Sequence, residues 1–124
     1  MSAHVDLDQL AGAVDDFTFA YLVTVNDDHH AHVVTVQPAF ADGVFAIAAI
    51  GDRTSANLAQ HSDVTLVFPP RDPGGYTLLI DGHADLKGTR LQVFPSRAIL
   101  HRQARPDTPA AAGGCLHDCV PIEQ

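Results

Sequence analysis

Short apolar and β-branched runs, each closed by a tight-turn signal, recur from residue 17 to residue 103, a spacing that points to a mainly antiparallel β fold. Phe17, Phe19, Tyr21, Val23 and Val25 alternate with smaller or polar neighbours, Asn26-Asp27-Asp28-His29-His30 turns the chain, and residues 31–38 return as the partner strand. Ala41-Asp42-Gly43 makes the next turn into residues 44–50, whose almost unbroken apolar run predicts a strand buried on both faces. A short helix over residues 53–61 then precedes a strand over 64–68, which Pro69-Pro70 must end because proline has no N–H to donate. Residues 76–87 and 89–103 form the last two long elements. At the front, Leu7, Leu10, Ala11 and Val14 fall at helical spacing, and Asp6 with Gln9 offers a capping-box start, so residues 6–16 read as a helix. The expectation is a mainly β (α+β) barrel or sandwich of about six antiparallel strands, with an N-terminal helix and a short helix between strands three and four.

The chain of 124 residues, 46% hydrophobic, suffices for one core, and at this size much surface stays uncovered, which favours a homodimer. One domain is expected over residues 1–105. Residues 106–124 turn to Pro, Ala and Gly and read as a flexible tail carrying Cys115 and Cys119. A net charge of −8 argues against nucleic acid or an anionic membrane as partner, since both need clustered Lys and Arg. The first residues lack a basic-then-apolar leader and no apolar run approaches membrane-spanning length, so a cytoplasmic protein is expected. All of the 15 acidic residues but Glu123 are Asp and Arg exceeds Lys, a usage resembling a GC-rich bacterial coding bias.

Arg53 is the only Lys or Arg before Arg71, and it stands where the apolar run 44–50 gives way to the polar, helix-opening Gly51-Asp52-Arg53-Thr54-Ser55. Two readings are open: Asp52 caps the helix while Arg53 points into water, or the turn meets an anion such as a cofactor phosphate. Eight histidines raise the question of metal. His29-His30-Ala31-His32 reads as a solvated hairpin tip in preference to a metal site, and His61, His83 and His101 as isolated half-buried or cap residues, with an axial haem role as the alternative. In an extended tail, Cys115, His117 and Cys119 share one side, so zinc ligation or a redox pair stands against a bland reading as reduced thiols.

The order of these pieces resembles the pyridoxamine 5'-phosphate oxidase-like split-barrel flavoproteins: the hairpin, the apolar strand running into Gly51-Asp52-Arg53-Thr54, then Val64-Thr65-Leu66-Val67-Phe68-Pro69, then Tyr76 through Gly82-His83-Ala84-Asp85-Leu86. The resemblance spans about residues 7–103 and implies a homodimer holding FMN at the subunit interface, or the deazaflavin F420 in a sister branch. By the same resemblance His32 stands where the family has a cation, and Val33 and Val34 with Ile47 and Ala48 take the ring. Arg53, Thr54 and Ser55 take the phosphate, and Thr77 is the polar contact from the fifth strand. The family usually has lysine where this chain has Thr54, which removes a charge-assisted bond worth about 1.5–3 kcal/mol. The basic and aromatic C-terminal extension of the pyridoxamine-phosphate oxidases is missing, so vitamin B6 oxidation is not expected. The implied activity is that of an FMN-binding, flavin-dependent oxidoreductase acting on a small molecule. The alternatives are an F420-dependent reductase, or a protein without a flavin that binds metal or haem or senses redox through His and Cys.

Overall fold

The computed structural model describes residues 2–103 and 117–118. β1 (Ser2–Val5) leads into a single 3-10 turn (Leu7–Gln9) and α1 (Leu10–Val14). The helix expected over 6–16 is therefore shorter: the Asp6 carboxylate accepts from the Asp8 N–H at 3.2 Å, but the chain opens as a 3-10 turn and only five residues are α-helical. Then come β2 (Ala20–Val25), β3 (Ala31–Val36), β4 (Ala39–Ala41), β5 (Val44–Ile47), α2 (Asp52–Gln60), β6 (Asp63–Phe68), β7 (Thr77–Lys87), β8 (Arg90–Gln103) and β9 (His117–Asp118).

All pairings are antiparallel, in the order β3-β2-β6-β7-β8-β5-β4, and the sheet curls into the split barrel. β8 lies along the whole of β7, and its other edge is divided between β5, which pairs with Leu91 to Val93, and β1, which pairs with Ala98 to His101. Three short strands, β1, β4 and β9, exceed the about six expected, being too brief for a period to show in the sequence. Of the expected tail, only His117 and Asp118 are described; they pair with Gln103 and Arg102 of β8.

Alternation places Leu22, Leu66, Leu78, Ile80, Leu91 and Val93 in a common core with Phe45 and Leu10, all fully buried. β8 keeps its inward face only because of a bulge: Asp81 faces Arg97 while Gly82 faces Pro95, so Ser96 is an extra residue. That insertion switches the inward positions from Leu91 and Val93 to Ala98 and Leu100, and it also accommodates a proline within the strand. Gly82 is needed there, since a Cβ would stand 2.7 Å from the Phe94 carbonyl oxygen. The β4–β5 hairpin closes through Asp42 and Gly43, with φ of 54° and 80°, the two positive values a primed two-residue turn requires.

The strand expected over 44–50 ends at Ile47, and it is buried on one face only: Phe45 and Ile47 face the core while Ala46 is exposed. The cause is local. Ala49 takes φ of 60°, a left-handed conformation that ends the ladder and swings the chain toward α2. Among the described residues no helix is long and apolar enough to cross a membrane.

Candidate functional site

A groove of about 830 Å³ opens between β3 and the β5–α2 connection, lined by His32, Val34, Thr35, Val36 and Gln37 on one side and residues 47–54 on the other. Its second wall is built by a sharp change of backbone direction. Ala49 turns left-handed, the Ile50 N–H donates to the Thr89 carbonyl at 3.2 Å, and Gly51 then opens α2 from an extended conformation. Gly51 offers no side-chain cap, and the first bond of the helix runs from the Ser55 N–H to the Gly51 carbonyl at 3.0 Å. The N–H groups of Asp52, Arg53 and Thr54 are therefore left over, and all three residues line the groove. Asp52 is not the cap but the first helical residue, so the capping half of the bland reading fails, while the exposed Arg53 agrees with either reading of the turn.

Arg53 is exposed and forms no ion pair with a carboxylate among the described residues, whose pairs are His61 with Asp27 and Arg97 with Asp81. Thr54, in the first turn, is only 1% exposed. Behind it, Asn57 Nδ2 donates to Thr24 Oγ1 of β2 at 3.0 Å, both groups buried.

Six of the expected site residues meet in this groove: His32, Val34, Ile47, Ala48, Arg53 and Thr54. Ile47 is buried, 3% exposed. Three do not line it. Val33, 53% exposed, lies on the opposite face of β3 from His32 and Val34, as a period of two demands. Ser55 follows one position beyond the lining turn. Thr77 is in register with His101, far along β7 and β8 from the Ile47–Leu91 pair. The lining residues missed were Thr35 to Gln37 and Ala49 to Asp52; Gly51 and Asp52 stood in the helix-opening turn that the sequence singled out, whereas nothing in the sequence marked the left-handed Ala49.

The other chemistry is dispersed. His29 and His30 are exposed in a turn that the Asn26 side chain organises by accepting from the N–H groups of Asp28 and His30 at 2.9 and 3.0 Å. His61 pairs with Asp27 at 2.8 Å, and His83 Nδ1 meets the Ser62 hydroxyl at 3.1 Å. Among the described residues no group of three His, Cys, Asp or Glu could hold a metal ion. Cys115 and Cys119 lie outside the described residues, and of His117 only the strand pairing is described.

No protein-family model matches the chain. Two uncharacterized proteins, one of Mycobacterium tuberculosis and one of Mycobacterium bovis, are each 48% identical over 132 residues, covering 94% of this chain and 93% of theirs. Among solved structures, a putative pyridoxamine 5'-phosphate oxidase from Listeria innocua matches with a TM-score of 0.63 at 12% identity, over 76% of this chain and 96% of that one. A FAD-binding protein from Mycobacterium smegmatis matches with a TM-score of 0.59 at 14% identity, over 82% and 100%. An F420 reductase matches at 0.51 and 14% identity, over 73% and 93%. Likeness at these identities is likeness of fold. The chain thus belongs to one family with the two mycobacterial proteins, and its fold is the pyridoxamine 5'-phosphate oxidase-like split barrel.

Proposed function

We propose that the groove holds the phosphate end of a flavin-type cofactor, FMN in the first instance, and that the protein is a flavin-dependent oxidoreductase acting on a small molecule. The observation that carries this reading is the uncapped start of α2, whose first three residues, Asp52, Arg53 and Thr54, have N–H groups without helical partners and all line one groove. Unsatisfied N–H groups, the helix dipole and a guanidinium all favour an anion. The volume lies within the range of cofactor pockets. The FAD-binding protein and the F420 reductase among structures of this fold support the cofactor class.

The residues present fit such a group. Arg53 and the amides of residues 52–54 would hold the phosphate, while Val34, Val36, Ala48 and Ile50 offer an apolar wall to the ring. Thr54 stands where the family has lysine and its side chain is buried, so Arg53 supplies the only full positive charge from Lys or Arg on the lining. When bound, the cofactor supplies the redox step, and the chain binds and orients it. One observation favours F420 as the second reading: a single guanidinium beside the Asp52 carboxylate suits the monoanionic phosphodiester of F420 better than a dianionic monoester.

The same reading calls for a homodimer. Thr77 is remote from the groove of its own chain, so a role for it requires a second copy, and exposed Tyr21, Val33 and Phe94 give the outer sheet face apolar surface to cover. Parallel titrations with FMN, riboflavin and F420 test the assignment. FMN or F420 should bind at micromolar concentration, and FMN about tenfold or more tighter than riboflavin, which lacks the phosphate. Equal affinity for FMN and riboflavin, or no binding of FMN and F420, contradicts it.

A further inference from the structure

We propose that the buried hydrogen bond between Asn57 and Thr24 is the positioning element of the groove, a clasp that sets the roll of α2 and thereby aims Arg53 and the free N–H groups of the first turn. α2 buries Thr54, Asn57 and Leu58, and only Leu58 is apolar. A helix held by one leucine can roll by a fraction of a turn and still bury it, so hydrophobic contact alone defines its orientation loosely. The polar pair is directional. Asn57 is 6% exposed and Thr24 0%, and a roll that broke their 3.0 Å bond would strand two buried polar groups. Asn57 also lies four residues after Arg53, on the same stripe of the helix, so fixing one fixes the direction of the other.

The other end of the bond is equally informative. Thr24 of β2 is in direct register with His32 of β3, and His32 lines the opposite wall of the groove. Residues opposed in an antiparallel pair project to the same face. The Asn57–Thr24 bond therefore joins the wall that carries Arg53 to the cross-strand pair that carries His32. Neither residue lines the groove itself, so both act through others, as positioning residues.

The binding arm of the test rests on the cofactor reading above; the exchange arm does not. The double variant Thr24→Val with Asn57→Leu replaces both partners by apolar groups of similar shape, which leaves global stability nearly unchanged. Amide hydrogen exchange over residues 52–60 should nonetheless quicken by about tenfold. FMN affinity should fall about tenfold if about a tenth of the molecules keep the competent roll. Thr24→Ser retains the hydroxyl and should restore exchange and affinity to the original values. Unchanged exchange over residues 52–60 in the double variant overturns the proposal. So does a Thr24→Ser variant as impaired as the double one, whatever the stability of either. If the unmodified protein binds neither FMN nor F420, the cofactor reading fails and the exchange arm alone decides whether the clasp exists.

Discussion

Replacing Gly82 by alanine should cost the fold about 2 kcal/mol. At the bulge of β7 against β8 the added methyl would stand 2.7 Å from the Phe94 carbonyl oxygen, 2.9 Å from Val93 Cγ1 and 3.2 Å from the Phe94 carbonyl carbon. Two of these three neighbours are backbone, so no side-chain rotation relieves the contact; the strands must part or the bulge must slip. Overpacking of this kind costs about 1–3 kcal/mol, and a weakened ladder bond adds about 1 kcal/mol. Against that, alanine restricts the unfolded chain and returns about 0.4–1 kcal/mol. The net loss is a sizeable part of the about 5–15 kcal/mol that a domain of this kind has, and corresponds to a fall in Tm of about 8 °C. Urea unfolding followed by circular dichroism measures it. Gly12 provides the control: a Cβ there meets nothing within 4 Å, and it lies inside α1, so Gly12→Ala should raise stability by about 0.5–1 kcal/mol. A Gly82→Ala midpoint equal to or above that of the unmodified protein would refute the close packing at the bulge.

Arg53→Ala should weaken FMN about tenfold at moderate salt, the lower end of the range for a charged partner because the side chain is exposed and screened, and leave riboflavin affinity and the circular dichroism spectrum unchanged; unaltered FMN titration would contradict it. Ala49→Gly should stabilise by about 0.5–1 kcal/mol, because φ of 60° strains alanine by more than glycine loses in chain entropy, and a lower unfolding midpoint would show otherwise. Deleting residues 106–124 should leave a folded protein with Tm lower by a few degrees at most, since the described part of that segment adds only two residues to the ladder; loss of folding or of the dimer by light scattering would show that the tail packs on the barrel.

Much of this architecture could be read before the structure because most elements obey one period. Tyr21 to Val25 alternates and its hairpin partner follows a turn rich in Asn and Asp; Pro69-Pro70 stops β6 where proline must. Alternation also separates Val33 from His32 and Val34, although the family resemblance grouped all three. What escaped was tertiary or conformational. β1 and β4 exist because β8 and β5 offer them edges, not because residues 2–5 or 39–41 have a pattern of their own. An alanine in the left-handed region left no trace in composition, yet Ala49 decides where β5 ends and how α2 starts. The Asn57–Thr24 contact joins positions 33 apart in sequence, a pairing only the fold reveals. Arg53 was legible because it is isolated in a chain of net charge −8, whereas its setting, a helix start with no side-chain cap, was not.

The groove beside Arg53 is proposed to bind a flavin-type cofactor through its phosphate. The most direct measurement is the visible absorption spectrum of the purified protein after saturation with FMN or F420 and removal of excess, with mass analysis of what denaturation releases. The expected result is the absorption of the bound cofactor and its release as intact FMN or F420, close to one molecule per chain, with less retained by Arg53→Ala. A protein that stays colourless and releases neither compound would contradict it.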